Sequence, residues 1–176
     1  MPGIAALRSA VFAVVFAMLG GSPLLAQSNA AAEQEVRNLI TQFTTAYGVN
    51  DLDKYFSYYA DDMTWWGPNG NRNEADGKTP KANYQKSWPE SVARTGGLNG
   101  SKVTDLRVQV SPQGDAAIAS YRLDVVRKNP APDATPPRPA NIAYEMTAAL
   151  FKRGNDWKIV HFHFQSIPPP RPGTQD

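Results

Sequence analysis

Apolar residues in the first third of the chain recur with the period of an α-helix. Residues 32–47 place their apolar side chains on one face, and Gly48 follows as a C-terminal stop. A second, shorter helix is predicted over residues 52–59, with Asn50 or Asp51 as its N-cap. Aromatic residues dominate the apolar faces of both helices, which indicates that they pack into a common core.

A short strand, a loop and a third helix follow. Residues 63–66 favour a strand, and the polar, glycine-rich residues 69–78 favour a loop. Thr79 is a suitable cap for the third helix, and Pro80 fits its first position, where the missing N–H costs nothing. We expect Pro89 to end or kink this helix at the preceding residue, because proline lacks the N–H of the helical hydrogen bond.

The apolar period changes to two in the second half of the chain. Four antiparallel strands are predicted, over residues 103–110, 116–127, 141–152 and 156–165. A tight turn at residues 153–156 joins the last two, where glycine and asparagine supply the backbone freedom that such a turn needs. Residues 129–140 contain five prolines and are predicted to form a stiff, projecting loop.

The last strand is apolar on both of its predicted faces. One face is expected to carry Trp157, Ile159, His161 and His163, and the other Val160, Phe162 and Phe164. A half-exposed sheet would alternate apolar and polar residues, so we expect both faces of this sheet to be covered. The helices can cover one face, and a second copy of the chain is the economical cover for the other. Helices followed by antiparallel strands indicate an α+β fold.

The N-terminus has the layout of a secretory signal peptide. Arg8 precedes a short apolar run, and small residues lead to a predicted cleavage after Ala26. The alternative for this segment is a membrane anchor or a buried helix. The whole chain then divides into a signal peptide, a linker, one folded domain and a proline-rich, disordered tail, at residues 1–26, 27–32, 33–167 and 168–176. The mature protein is expected to be exported, periplasmic or secreted, without a membrane segment.

Composition excludes several classes of protein. The chain has no cysteine, so disulfides, thiol catalysis and cysteine-based metal sites are excluded. The formal charge is +2, and no basic stripe is present, so nucleic-acid binding lacks its electrostatic basis. We also expect no cofactor and no bound metal.

The order of these elements resembles the nuclear transport factor 2-like superfamily, which includes ketosteroid isomerase and the SnoaL-type polyketide cyclases. The segments that carry the resemblance are DLDKYFSYYADDMTWWGP and the terminal strand WKIVHFH. The closest form is the association domain of calcium/calmodulin-dependent protein kinase II, matched by GDAAIASYRLDV and FKRGNDWKIVHFHFQSIPP. The resemblance implies a cone-like fold, with three N-terminal helices packed in a curved, mostly antiparallel sheet. It also implies a pocket at the wide end, and homodimers or larger rings formed through the outer sheet face.

The functional residues of these relatives are only partly present. The tryptophan and one arginine of the association-domain pocket are matched by Trp88 and Arg122, but two further arginines fall at Ala148 and Phe164. The resemblance places the aspartate base of ketosteroid isomerase at Gly67, and its oxyanion-hole tyrosine at Phe43. Enolate chemistry needs both a base and a donor for the oxyanion, so that specific reaction is not expected.

Two pairs of polar residues on strands are candidate sites. His161 and His163 share a strand face, and the alternatives are interface residues, pocket residues or metal ligands. We favour the interface, since the resemblance places them on the outer sheet face. Arg122 and Asp124 are either a solvated pair or a pocket arginine held beside a carboxylate.

Aromatic residues are dense around the expected pocket. One of the adjacent Trp65 and Trp66 should face inward, because strand side chains alternate. Core packing alone is the alternative to an aromatic-walled pocket. The predicted pocket consists of Trp66, Tyr84, Trp88, Arg122, Tyr144, Phe162 and Phe164.

Three functions remain open at this level. The first is a non-catalytic, self-associating domain that binds a small apolar or carbonyl-bearing molecule. The second is an enzyme of the SnoaL or isomerase type, with Arg122 as electrophile, Asp124 as base, and Tyr84 or Tyr144 as donors. The third is a structural module whose cavity is filled by side chains. We favour the first.

Overall fold

The computed structural model describes most of the predicted domain. The described residues are 23–66, 72–73, 79–131, 133 and 138–168. The helices are α1 (Pro23–Val49), α2 (Leu52–Ser57) and α3 (Thr79–Thr95). The strands are β1 (Tyr59–Trp66), β2 (Arg72–Asn73), β3 (Leu98–Val110), β4 (Ala116–Arg127), β5 (Asn141–Arg153) and β6 (Asp156–Ile167). None of the described helices is both long and apolar enough to cross a membrane.

The strands form one mixed sheet in the order β2-β1-β6-β5-β4-β3. Strand β1 runs parallel to β6, and all other neighbouring pairs are antiparallel. The helices pack on one face of this sheet, so the predicted α+β fold with a curved, mostly antiparallel sheet is confirmed.

The core lies between α1 and the inner face of the sheet. Val36, Ile40 and Phe43 of α1 are almost fully buried there. The sheet contributes the odd-numbered positions of β4, which are Ala117, Ala119, Tyr121, Leu123 and Val125. The alternation predicted for this strand is therefore confirmed, and each large apolar side chain buried here contributes about 1.5–3 kcal/mol.

Helix α1 begins earlier than the sequence pattern indicates. Residues 27–32, which were predicted as a linker, continue the helix that starts at Pro23. The prediction relied on the first apolar-periodic residue, but alanine-rich sequence is helical without an amphipathic pattern. The predicted cleavage after Ala26 would therefore fall within the first turns of α1.

Gly48 does not stop α1. The helix continues to Val49, and Asn50 adopts the left-handed conformation (φ 64°) that ends it. The side chain of Asn50 accepts from Leu98 N and donates to Leu98 O, both at 2.9 Å. A Cβ at Gly48 would lie 2.6 Å from the backbone nitrogen of Ser101. Gly48 is therefore a position where β3 lies too close to α1 for any side chain.

Helix α3 runs past Pro89 to Thr95, so Pro89 does not end the helix at Trp88, and the predicted alternative of a kink there stays a prediction. The lost hydrogen bond would have joined Pro89 to Gln85, and both residues lie on the exposed face of the helix. Water can replace that bond there, whereas a buried carbonyl would have been left without a partner.

Strand β6 contains a bulge that the predicted alternation missed. Leu150 pairs with Ile159 and Ala149 with His161, so Val160 is an extra residue between two paired positions. The side chains after the bulge change face. The core face of β6 therefore carries Trp157, Ile159, Phe162 and Phe164 together.

The predicted bounds of several shorter elements differ from those in the structure. Strand β1 begins at Tyr59, four residues before its predicted start, and Arg72–Asn73 pairs with it inside the predicted loop. The proline-rich loop is partly described, and Ala131 pairs with Arg138 across it. Residues 1–22 of the predicted signal peptide and residues 169–176 of the predicted tail lie outside the described residues.

Candidate ligand-binding site

A cavity lies between the helices and the inner face of the sheet. It has two chambers, an inner chamber of about 50 Å³ and an outer chamber of about 310 Å³. Both chambers are lined by Tyr47, Trp65, Tyr84, Tyr144 and Phe164. These shared aromatic residues make the two chambers neighbouring parts of one site.

Stacked rings form a flat wall of the cavity. Trp65 lies between Tyr84 and Phe164, with centroid distances of 6.0 and 5.7 Å and interplanar angles of 7° and 5°. Tyr47 stacks on Trp88 at 5.5 Å. Parallel rings held in this way offer a planar apolar molecule a rigid surface at little entropic cost.

The inner chamber has a hydrogen-bonded pair of phenols. The hydroxyls of Tyr55 and Tyr59 are 2.8 Å apart, and Phe43 stacks on Tyr55 at 4.7 Å. Burial raises the pKa values of Tyr55, Tyr59 and Tyr84 well above the usual range. These phenols therefore stay protonated at neutral pH, where they can donate hydrogen bonds but cannot act as bases.

The outer chamber is more polar than the inner one. Arg127 at the end of β4 and Arg138 in the proline-rich loop both line it. Burial raises the pKa values of Tyr47 and Tyr144, and the positive charge of Arg127 acts in the opposite direction on both. Arg127, Tyr47 and Tyr144 all line the outer chamber.

Two residues that line the outer chamber carry a buried hydrogen-bond donor without a partner among the described residues. The indole nitrogens of Trp65 and Trp88 are buried, and neither makes a hydrogen bond within the described residues. A buried polar group without a partner costs about 1–3 kcal/mol. An acceptor on a bound molecule that reached either nitrogen would remove this cost.

Five of the predicted pocket residues line the cavity. Tyr84, Tyr144 and Phe164 line both chambers, while Trp88 lines the outer chamber and Phe162 the inner. The structure thus brings together predicted pocket residues from three separate regions of the chain, α3, β5 and β6.

Arg122 and Asp124 do not belong to the cavity. They occupy even-numbered positions of β4, on the sheet face opposite the core, and form an ion pair with each other at 2.9 Å. Their side chains are 44% and 41% exposed. Alternation along the strand explains the correction, since their neighbours Tyr121 and Leu123 face the core. The predicted roles as electrophile and base therefore have no support in this geometry.

The predicted pocket contains Trp66, but its neighbour Trp65 is the tryptophan that lines the cavity. Met63 and Trp65 face inward, and Thr64 and Trp66 point to the other side of the sheet. The prediction that one of the two tryptophans faces inward was right, and the choice between them was wrong.

The two histidines lie on the outer face of the sheet, where they were expected. The Nδ1 atom of His161 is 2.7 Å from the hydroxyl of Thr64 on the neighbouring strand, and His163 pairs in register with Trp66. No group of three potential metal ligands occurs among the residues that the structure describes. Phe43 is buried in the core, and Gly67 lies outside the described residues.

The sequence interpretation missed Arg127, Arg138 and the phenols Tyr55 and Tyr59. A signal for Arg127 was present, because it is the next odd position after Val125 on β4. Arg138 lies in an irregular loop, and no periodic pattern could have placed it at the cavity.

The outer face of the sheet exposes several apolar side chains. Ile118 and Val126 of β4 and Phe151 of β5 are among the most exposed large apolar residues of the described chain. Ile118 is 50% exposed, and it pairs in register with Ala149, which in turn pairs with His161. Ile118 and Phe151 thus lie together near one end of this face, where no described part of the same chain covers them, whereas Val126 lies beyond the Arg122–Asp124 pair at the other end of β4.

A curved sheet around a long helix, with an apolar cavity inside, is the architecture of nuclear transport factor 2-like domains. The model of the SnoaL-like domain family matches residues 36–170, and the chain belongs to that family. No curated protein matches the sequence.

Solved structures with this fold include proteins of several kinds. A nuclear transport factor 2-like protein of unknown function from Pseudomonas putida is 22% identical, with a TM-score of 0.59 over 84% of this chain and 93% of its own. A ketosteroid isomerase-like protein from Erwinia carotovora is 19% identical, with a TM-score of 0.56 over 78% and 97% of the two chains. A calcium/calmodulin-dependent protein kinase II association-domain-like protein from Xanthomonas campestris is 17% identical, with a TM-score of 0.54 over 77% and 87%. These similarities establish the fold.

Proposed function

We propose that this chain is an exported, self-associating protein that binds a small molecule in the aromatic cavity without catalysing its conversion. The observation that carries the proposal is the cavity itself, which combines parallel aromatic rings with hydrogen-bond donors that lack partners. An outer chamber of about 310 Å³ has the size of a small-molecule site. That open volume also argues against a structural module with a filled cavity.

The lining favours binding over turnover. Its described residues include neither a carboxylate nor a histidine, and burial holds the phenols in their protonated form. Proton abstraction beside a carbonyl requires a base within hydrogen-bond reach of the substrate. A donor-rich, base-poor cavity is suited to holding a polar acceptor in place.

Export and self-association are part of the proposal. The signal-peptide pattern before Gln27 supports export, which N-terminal sequencing of the mature protein would test. The apolar outer face, with the half-buried His161 and His163 beside it, supports an interface with a second copy. An isologous contact between two such faces would cover the same residues on both subunits.

A second candidate is an enzyme that acts on an apolar carbonyl compound. The hydrogen-bonded phenols of Tyr55 and Tyr59 favour it, because a paired phenol can donate to a developing oxyanion. Deuterium exchange beside the carbonyl of a bound ketone, followed by NMR in D₂O, would detect such chemistry. If the wild type exchanges deuterium and Tyr59→Phe does not, the protein is an enzyme rather than a binding protein.

Native mass spectrometry of mature protein from an exporting host tests the main proposal. We expect a dimer or larger ring that carries one reproducible small-molecule adduct per chain. Trp65→Ala should lose the adduct, while Trp66→Ala, a change of the same size on the other sheet face, should keep it. A wild-type protein without any adduct, even after exposure to host extract, would contradict the binding function.

A further inference from the structure

The outer chamber is lined by two positively charged side chains, Arg127 and Arg138. Neither Arg127 nor Arg138 forms an ion pair among the described residues, whereas the exposed Arg122 pairs with Asp124. The guanidinium of Arg127 reaches a single acceptor, the carbonyl of Pro139, at the long distance of 3.5 Å. Both side chains are only half-exposed, so water screens their charges less than at an open surface.

The other polar groups of this chamber are also donors. The indole N–H groups of Trp65 and Trp88 are buried without partners. An indole nitrogen and a guanidinium can donate but cannot accept a hydrogen bond. Arg127 and Arg138 therefore line the chamber with donors that match acceptor oxygens on a bound molecule, and the two tryptophans add indole N–H groups that become partners only if a small side-chain shift exposes them.

The remaining lining is apolar or aromatic. Trp65, Tyr84 and Phe164 present stacked rings that continue from the outer chamber to the inner one. A molecule that satisfies both parts of the site needs a flat apolar body and an anionic group at one end.

We propose that the ligand is a planar, apolar carboxylate, whose body lies along the Trp65 stack and whose carboxylate is bound by Arg127 and Arg138. This inference rests on the proposed binding function and adds the ligand class. A guanidinium and a carboxylate form a charge-assisted, often bidentate pair, which is stronger than a neutral hydrogen bond. The two arginines then select charge, and the aromatic wall selects shape.

Two probes that differ only in charge test the proposal. Isothermal titration calorimetry compares 2-naphthylacetate with 2-naphthylacetamide, which has the same aromatic body and a neutral amide. For the wild type we expect saturable binding of the acetate that weakens as salt concentration rises. Arg127→Gln together with Arg138→Gln should weaken acetate binding by about tenfold or more, and acetamide binding by less than about threefold.

Lys128→Gln is the matched control. It also removes one positive charge, but Lys128 is exposed and does not line the cavity, although it is adjacent to Arg127 in the chain. It should leave both affinities unchanged. Acetate binding that is insensitive to the two arginine substitutions, or equally reduced by the control, would overturn the carboxylate site and leave the binding function intact. If neither probe binds, the carboxylate site is again overturned, and the adduct test by mass spectrometry separately decides the binding function.

Discussion

Two tyrosine side chains that line the inner chamber share a buried hydrogen bond. The hydroxyls of Tyr55 and Tyr59 are each other's partners at 2.8 Å, and both rings lie in the core. A buried hydroxyl that loses its partner retains its desolvation cost, whereas removal of both hydroxyls leaves an apolar contact. The pair should therefore behave as a unit.

Removal of either hydroxyl should destabilise the protein. Tyr55→Phe and Tyr59→Phe are each expected to lower the free energy of unfolding by about 1–2 kcal/mol, and the double variant by less than their sum. Urea denaturation followed by circular dichroism measures this. Tyr58→Phe is the control, because the hydroxyl of Tyr58 donates to Gln42 at an exposed position and should matter by less than about 0.5 kcal/mol. Additive losses would show that the two hydroxyls are not coupled.

The positions of single residues were predictable where alternation was followed consistently. Alternation along β4 placed Tyr121 and Leu123 inward, and the same rule assigns Arg122 outward and Arg127 inward. The family resemblance instead suggested Arg122 for the pocket, and the strand geometry overrules it. Alternation over residues 63–66 also groups Trp65 with the apolar Met63 and Trp66 with the polar Thr64, so the prediction of Trp66 did not follow this rule.

Among the elements, helix α1 is attached to the sheet by a polar contact as well as by its core face. Glu35 accepts from the indole nitrogen of Trp157 at 2.9 Å and from the ammonium group of Lys152 at 3.1 Å. The hydrogen bond from Trp157, followed by that from Lys152, lowers the pKa of Glu35 below its usual value. The folded state therefore favours the ionised carboxylate.

The stabilisation that depends on the Glu35 charge should vanish in acid. A carboxylate whose pKa is lowered by folding stabilises above its unfolded pKa of about 4.5, and the effect disappears as pH falls through the folded value. Glu35→Gln keeps an acceptor for Trp157, so it should cost less than about 1 kcal/mol at pH 7, and less again at pH 3. Glu35→Ala should cost about 1–2 kcal/mol at pH 7, since it leaves the buried indole nitrogen unpaired.

Chemical denaturation at the two pH values measures both variants. Glu90→Gln, an exposed change on α3, is the control and should have no effect at either pH. A wild-type advantage over Glu35→Gln that persisted unchanged at pH 3 would show that the charge of Glu35 does not stabilise the fold.

The type and order of the elements were predictable, and several of their ends were not. Helical and strand periods identified α1, α3 and the four long strands, because each has a clear apolar face. The bulge at Val160 was not predictable, since Ile159 and Val160 are adjacent apolar residues and the sequence gives no sign of a changed register there. At Pro89 the sequence predicted a helix end that does not occur. The cost of a proline within a helix depends on whether the unpaired carbonyl of Gln85 is exposed to water, and that exposure is set by the tertiary structure.

At the scale of the whole molecule, the two sheet faces are unequal. The inner face packs against the helices, while the outer face exposes Ile118 and Phe151 next to half-buried residues of β6. Apolar side chains that cluster on one open sheet face are typical of an interface rather than of a solvated surface. A partner copy would meet this face with the same residues, so a substitution there occurs twice in one dimer.

Ile118→Asp should therefore separate the subunits without unfolding them. Ile118 is 50% exposed in the single chain, so a carboxylate there stays hydrated in the monomer and loses that hydration only in the dimer. Two buried charges at about 1.5 kcal/mol or more each would weaken dimerisation by about a hundredfold or more. Val49→Asp is the matched control, because Val49 is 63% exposed at the end of α1, away from the outer sheet face. Sedimentation equilibrium should then show a wild-type and Val49→Asp dimer, and an Ile118→Asp monomer with unchanged circular dichroism. A wild type that remains monomeric at high concentration would mean that the outer face is not covered by a second copy.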